Sequence, residues 1–84
     1  MLQKEIANKI AKDLKISERR ARAYSEMFLE RFQGEKRAIT YILASYTTAG
    51  QVRISYIVNG RRMYFNLDAD SPYRKEINRR KEKQ

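Results

Sequence analysis

Asn59-Gly60 stands between two runs in which apolar and polar residues alternate, residues 51–58 and 61–67. Both central positions of a type I′ turn need positive φ, and Asn-Gly adopts that geometry readily. The sequence therefore predicts a β-hairpin with a two-residue loop, which fixes the strand register. Val58 faces Arg61, Tyr56 faces Met63, Ile54 faces Phe65 and Val52 faces Leu67. One face of the ribbon is then largely apolar, while the other carries Arg53, Ser55, Ile57, Arg62, Tyr64 and Asn66. A lone hairpin is at best marginal in water, so the apolar face must rest on other parts of the chain.

The upstream residues supply helices for that purpose. Leu2, Ile6, Ile10 and Leu14 recur every four residues beside Ala7 and Ala11, which predicts a helix over 2–14. Ser17 is a suitable N-cap and Glu18 complements the helix dipole, opening a second helix that runs to about Gln33. Ala21, Tyr24, Phe28 and Phe32 share a face of it, and Gly34 falls where a helix-ending glycine belongs. Residues 35–48 carry two signals. Thr40, Tyr41, Ile42, Tyr46, Thr47 and Thr48 favour strands, yet Ile39, Ile42, Leu43 and Tyr46 fall at i, i+3, i+4 and i+7. We read residues 36–48 as a third helix, stopped by Gly50. Beyond the hairpin, Ser71-Pro72 has the form of a helix start, with only Tyr73 and Ile77 to give that segment an apolar side. The expected organisation is one α+β domain over 1–70 and a short basic helix or tail over 71–84.

Charge narrows the choice of partner. Nineteen Lys and Arg face ten Asp and Glu, a net charge of +9, and the sequence pI is near 10.1. A small domain with that balance is expected to meet a polyanion, nucleic acid first among them. The chain has no His and no Cys, which removes disulfides, the common zinc sites and the Cys-His and Ser-His catalytic pairs. Asp68 and Asp70 have no third acidic neighbour and read as a solvated turn. Gly34, Gly50 and Gly60 stand alone, so no phosphate-cradling loop is present. These features predict a protein that is not an enzyme, with no metal, cofactor or small-molecule ligand. No apolar run approaches the length of a membrane span and no apolar leader segment appears, so a cytoplasmic location is expected, on the nucleoid or within a host cell if the source is viral.

Two resemblances sharpen this. Leu43-x-x-Tyr46-x-x-x-Gly50-x-Val52, followed by Gly60-Arg61-Arg62-x-Tyr64-x-x-Leu67, resembles the end of a winged helix-turn-helix domain over residues 38–67. That likeness implies three helices and a two-stranded wing, with residues 36–48 as a recognition helix in the major groove. Lys36, Arg37, Thr40 and Tyr41 would face the groove. Arg53, Asn59, Arg61 and Arg62 on the wing would meet the backbone or the minor groove. Glu5-Ile6 through Ile10-Ala11, with Ile16-Ser17, Ala21 and Phe28-Leu29-Glu30, is similar instead to the paired helices of HU-type DNA-binding proteins over residues 5–36. On that likeness residues 37–48 become a strand of a three-stranded sheet, the protein is a dimer and a β-arm wraps the minor groove. The Gly-Phe-Gly strand motif and the arm-tip proline of that family are absent here.

Both resemblances lead to double-stranded DNA. The first implies a small transcription regulator, the second an architectural protein. Arg offers a planar fork of donors for phosphates and guanine edges, and Thr and Tyr hydroxyls can meet either. Arg74, Lys75, Arg79 and Arg80 in the tail could lie along phosphates. Tyr56 and Tyr64 occupy opposite faces of the hairpin, and an exposed Tyr64 beside Arg53 and Arg62 could stack a base, which would suit single strands or RNA. A homodimer is expected, since two half-sites multiply affinity, with the first helix or the C-terminal segment as its interface. The competing functions are a protein-interaction module and an RNA-binding domain.

Overall fold

The structure, a computed structural model, describes residues 1–68. Two helices, α1 (Gln3–Leu14) and α2 (Glu18–Arg31), precede a 3-10 turn at Lys36–Ala38 and three strands: β1 (Ile39–Tyr46), β2 (Gln51–Val58) and β3 (Arg61–Asp68). The strands form an antiparallel sheet in the order β1-β2-β3, with the helices against one face. The fold is thus α+β, as expected. The tail residues Arg74, Lys75, Arg79 and Arg80, the boundary near residue 70 and the helix expected after Ser71-Pro72 lie outside the described residues.

The helices follow from their stripes and caps. Ile6, Ile10 and Leu14 are buried along α1. The helix ends where Lys15 turns left-handed (φ 56°, ψ 48°) and Ile16 N donates to Ala11 O at 3.1 Å. Ser17 Oγ accepts from Arg20 N at 3.2 Å and caps α2. Gly34 has a different role from the expected one. Phe32, in extended geometry, ends α2, and a Cβ on Gly34 would come 2.9 Å from Phe32 Cζ, so the glycine makes room for that ring.

The hairpin forms with the expected register, Val58 opposite Arg61 and Val52 opposite Leu67. Asn59 (φ 51°) and Gly60 (φ 76°) take the two left-handed positions of its turn. Nothing lies near where a Gly60 Cβ would stand, so conformation alone selects glycine there.

Residues 36–48 are not a recognition helix, and the three-helix, two-strand winged arrangement is not what the chain adopts. Only Lys36–Ala38 is helical, and Ile39–Tyr46 is a strand paired along β2. The supposed helical stripe divides: Ile39 and Ile42 are buried, whereas Leu43 and Tyr46 are exposed. A third helix would leave the free edge of β2 unpaired, while a strand of β-branched and aromatic residues satisfies that ladder. Gly50 correspondingly belongs to the β1–β2 turn, where its N–H donates to Thr47 O at 3.1 Å. The helix pair with a three-stranded sheet, the other arrangement expected, matches in outline.

The core lies between helices and sheet. Tyr56 on β2 meets Phe28 and Phe32 of the α2 end edge-on, at 5.1 and 5.6 Å between ring centroids, and stacks on Phe65 at 5.3 Å. Such ring pairs add about 0.5–1.5 kcal/mol each beyond the area they bury. They hold α2 to β2 and β3. α1 is tied to β1 by a polar contact: Asp13 Oδ2 accepts from Ala44 N at 3.0 Å.

Candidate nucleic-acid interface

With both helices on the inner face, the outer face of the sheet is left open among the described residues. Pleating and register place its side chains in three rows across β1, β2 and β3. The rows are Tyr41–Ile57–Arg62, Leu43–Ser55–Tyr64 and Ser45–Arg53–Asn66. Tyr41 is 45% and Tyr64 60% exposed, and Leu43 is 39% exposed. Aromatic and aliphatic side chains thus alternate with arginines on a surface that the fold itself does not use.

The charges segregate in the same way. Residues 1–35 carry eight basic and six acidic groups, but residues 36–67 carry five basic and none acidic. The entire sheet before Asp68 therefore lacks a carboxylate, and Lys36, Arg37, Arg53, Arg61 and Arg62 meet no opposing charge from it. Because Ile39 pairs with Val58 and Val58 with Arg61, Lys36 and Arg37 lie at the same end of the sheet as Arg61 and Arg62.

The expected site residues distribute as follows. Tyr41 and Arg62 share one row of the outer face, and Arg53 lies on that face two rows away. Arg61 and Asn59 stand exposed at the hairpin turn. Arg61 follows the alternation of the inner face, so it projects from the tip rather than from the platform. Thr40 lies at a register irregularity in β1, with its Oγ1 donating to Ile57 O at 3.4 Å. Lys36 and Arg37 are exposed on the 3-10 turn and border an open groove with Leu29, Phe32, Gly34 and Glu35. The structure therefore gathers Tyr41, Arg53 and Arg62 on one surface, sets Arg61 and Asn59 at its end, and places Lys36, Arg37 and Thr40 along its margin.

Leu43, Ser55 and Asn66 complete that surface and are absent from the expected DNA-facing set, and Tyr64, expected as a base-stacking residue, lies among them. Asn66 organises one corner. Its Oδ1 accepts from Arg53 Nε at 3.2 Å, and its backbone carbonyl accepts from Arg31 Nη1 of α2, also at 3.2 Å. The Arg53 guanidinium then lies 4.8 Å from the centroid of the Tyr64 ring, within cation–π range. The absence of Asp and Glu from residues 36–67 is the signal that could have marked the whole surface from the sequence.

Among the described residues, no group of three His, Cys, Asp or Glu could hold a metal ion. Burial in the core, away from this face, pushes the Tyr56 phenol above its ordinary value. No described helix is long and apolar enough to cross a membrane. Comparison with protein-family models, with curated proteins and with solved structures finds no match for this chain.

Proposed function

We propose that the protein is a non-catalytic DNA-binding domain that lays the outer face of its sheet and the Arg61-Arg62 turn on duplex DNA. The observation that carries this reading is the open sheet face with arginines, hydroxyls and an amide, in a segment of 32 residues without a carboxylate. The major groove is wide enough for a β-ribbon, and Arg and Asn side chains are suited to base edges and phosphates there. Phosphate contacts from exposed arginines are sequence-independent, which favours an architectural role of the HU type over a selective regulator. The likeness of residues 5–36 to the HU-type helix pair agrees with that choice. An anionic membrane would usually be met by a spare amphipathic helix; the apolar stripes of α1 and α2 are both spent in the core.

The test compares two double variants in a duplex-DNA titration at several salt concentrations. R61A/R62A removes two charges from the proposed surface, and K4A/K12A removes two exposed charges from α1. The arginine pair should weaken binding on every duplex and reduce the salt slope by about two, one for each phosphate no longer neutralised. The lysine pair should change little. Equal effects of the two pairs would mean that net charge alone drives association, and binding that ignores salt would end the DNA reading.

A further inference from the structure

The outer face contains a position that phosphate binding does not require. Tyr64 is 60% exposed, yet its ring is braced on one side. The Arg53 guanidinium lies 4.8 Å from its centroid, and Arg53 is itself held through Nε by Asn66 Oδ1. An exposed tyrosine fixed in this way loses little conformational freedom when something stacks on it.

The row that contains Tyr64 has its shortest side chain on the middle strand. Leu43 and Tyr64 stand two strands apart, with Ser55 between them. At the usual strand spacing their backbones are about 10 Å apart. Ser55 has the shortest side chain of the three, so it forms a low floor between an aliphatic wall and an aromatic one. Arg62 lies two residues along β3, about 7 Å away, where a flanking phosphate can be met.

The occupant follows from the charge and the shape. A second copy of the chain would bring Arg53 and Arg62 against their own counterparts, with Asp68 at the end of β3 the one carboxylate among the described strands. A nucleobase brings a flat π-face for Tyr64 and a phosphate for the arginines. Within continuous duplex both faces of a base are already stacked, whereas a bulged or unpaired base is the least costly to withdraw. We infer that Tyr64, braced by Arg53 and facing Leu43 across Ser55, is a stacking platform for an unpaired nucleobase, and that the protein binds DNA with a bulged nucleotide more tightly than continuous duplex. This rests on the reading of the sheet face as the DNA-binding surface.

The experiment uses two duplexes of equal length, one continuous and one with a single bulged 2-aminopurine. Both are titrated with the full chain and with its Tyr64→Ala and Tyr64→Phe variants. The wild type should prefer the bulged duplex by about tenfold, the scale of one base–aromatic stack, and should quench the 2-aminopurine. Tyr64→Phe should keep both effects. Tyr64→Ala should abolish both, lowering affinity for the bulged duplex about tenfold more than affinity for continuous duplex, with the salt slope kept because no charge is removed. Equal affinity of the wild type for the two duplexes, or a preference that survives Tyr64→Ala, overturns the inference and leaves the proposed function standing. Failure of the wild type to bind either duplex in a salt-dependent way overturns the proposed function as well.

Discussion

At the residue scale, Asp13 controls how the sheet ends. Its carboxylate makes two contacts of unequal importance. Oδ1 accepts from Lys9 Nζ at 2.6 Å, and Oδ2 accepts from the backbone N–H of Ala44 at 3.0 Å. The Lys9 ammonium is a third exposed, and an i,i+4 pair of that kind contributes only about 0.3–0.5 kcal/mol. Ala44 is buried, and its N–H faces away from β2, where none of the described strands can accept it. Leaving such a donor unpaired costs about 1–3 kcal/mol. Urea denaturation should therefore show a loss of that size for Asp13→Ala and less than about 0.5 kcal/mol for Lys9→Ala. Equal losses would mean that the ion pair, not the edge contact, is what Asp13 provides. The same hydrogen bond blunts one sheet edge, because it occupies a donor that another strand would otherwise recruit.

At the element scale, the clearest parts of the chain were those whose geometry is locally determined. The hairpin register follows from two residues, and each helix from a four-residue stripe with a cap. Residues 39–46 were not legible, because Ile39, Ile42, Leu43 and Tyr46 follow the helical period while Thr40, Tyr41, Ile42 and Tyr46 favour a strand, and the choice is made by β2, a partner more distant in sequence. The candidate site shared that fate. Arg53, Arg61 and Arg62 could be found from the hairpin alone, whereas the Tyr41, Leu43, Ser55 and Tyr64 surface exists only once β1 lies beside β2. The central strand also carries the joint to α2 through Tyr56. Burial raises its phenol above the ordinary value of 10.0, so the fold favours the neutral form. Its contribution to stability is complete below that ordinary value and is lost as pH rises through the raised one. The thermal midpoint of the wild type should therefore fall as pH rises above about 10. Tyr56→Phe, which keeps the ring contacts to Phe28, Phe32 and Phe65, should flatten that fall. An unchanged alkaline profile would show that another group governs it.

At the scale of the whole molecule, the two sides of the sheet have separate tasks. The inner side and the helices bury Ile6, Ile10, Tyr24, Phe28, Ile42, Ile54 and Leu67 within one chain. The apolar stripe of α1, from which a dimer interface was expected, is consumed there, and of its repeating leucines and isoleucines only Leu2 remains exposed. A homodimer formed on DNA would then join units that are already folded. The thermodynamic consequence is specific. When a second copy completes the core, folding and association are one equilibrium and the melting temperature climbs with protein concentration. When the core is complete in one chain, the melting temperature is independent of concentration. We expect independence over about a hundredfold range of protein concentration, with duplex DNA raising the midpoint by linkage to the folded state alone. A midpoint that climbs with protein concentration in the absence of DNA would show that the face assigned here to nucleic acid, or the edge of β3, is instead covered by another copy.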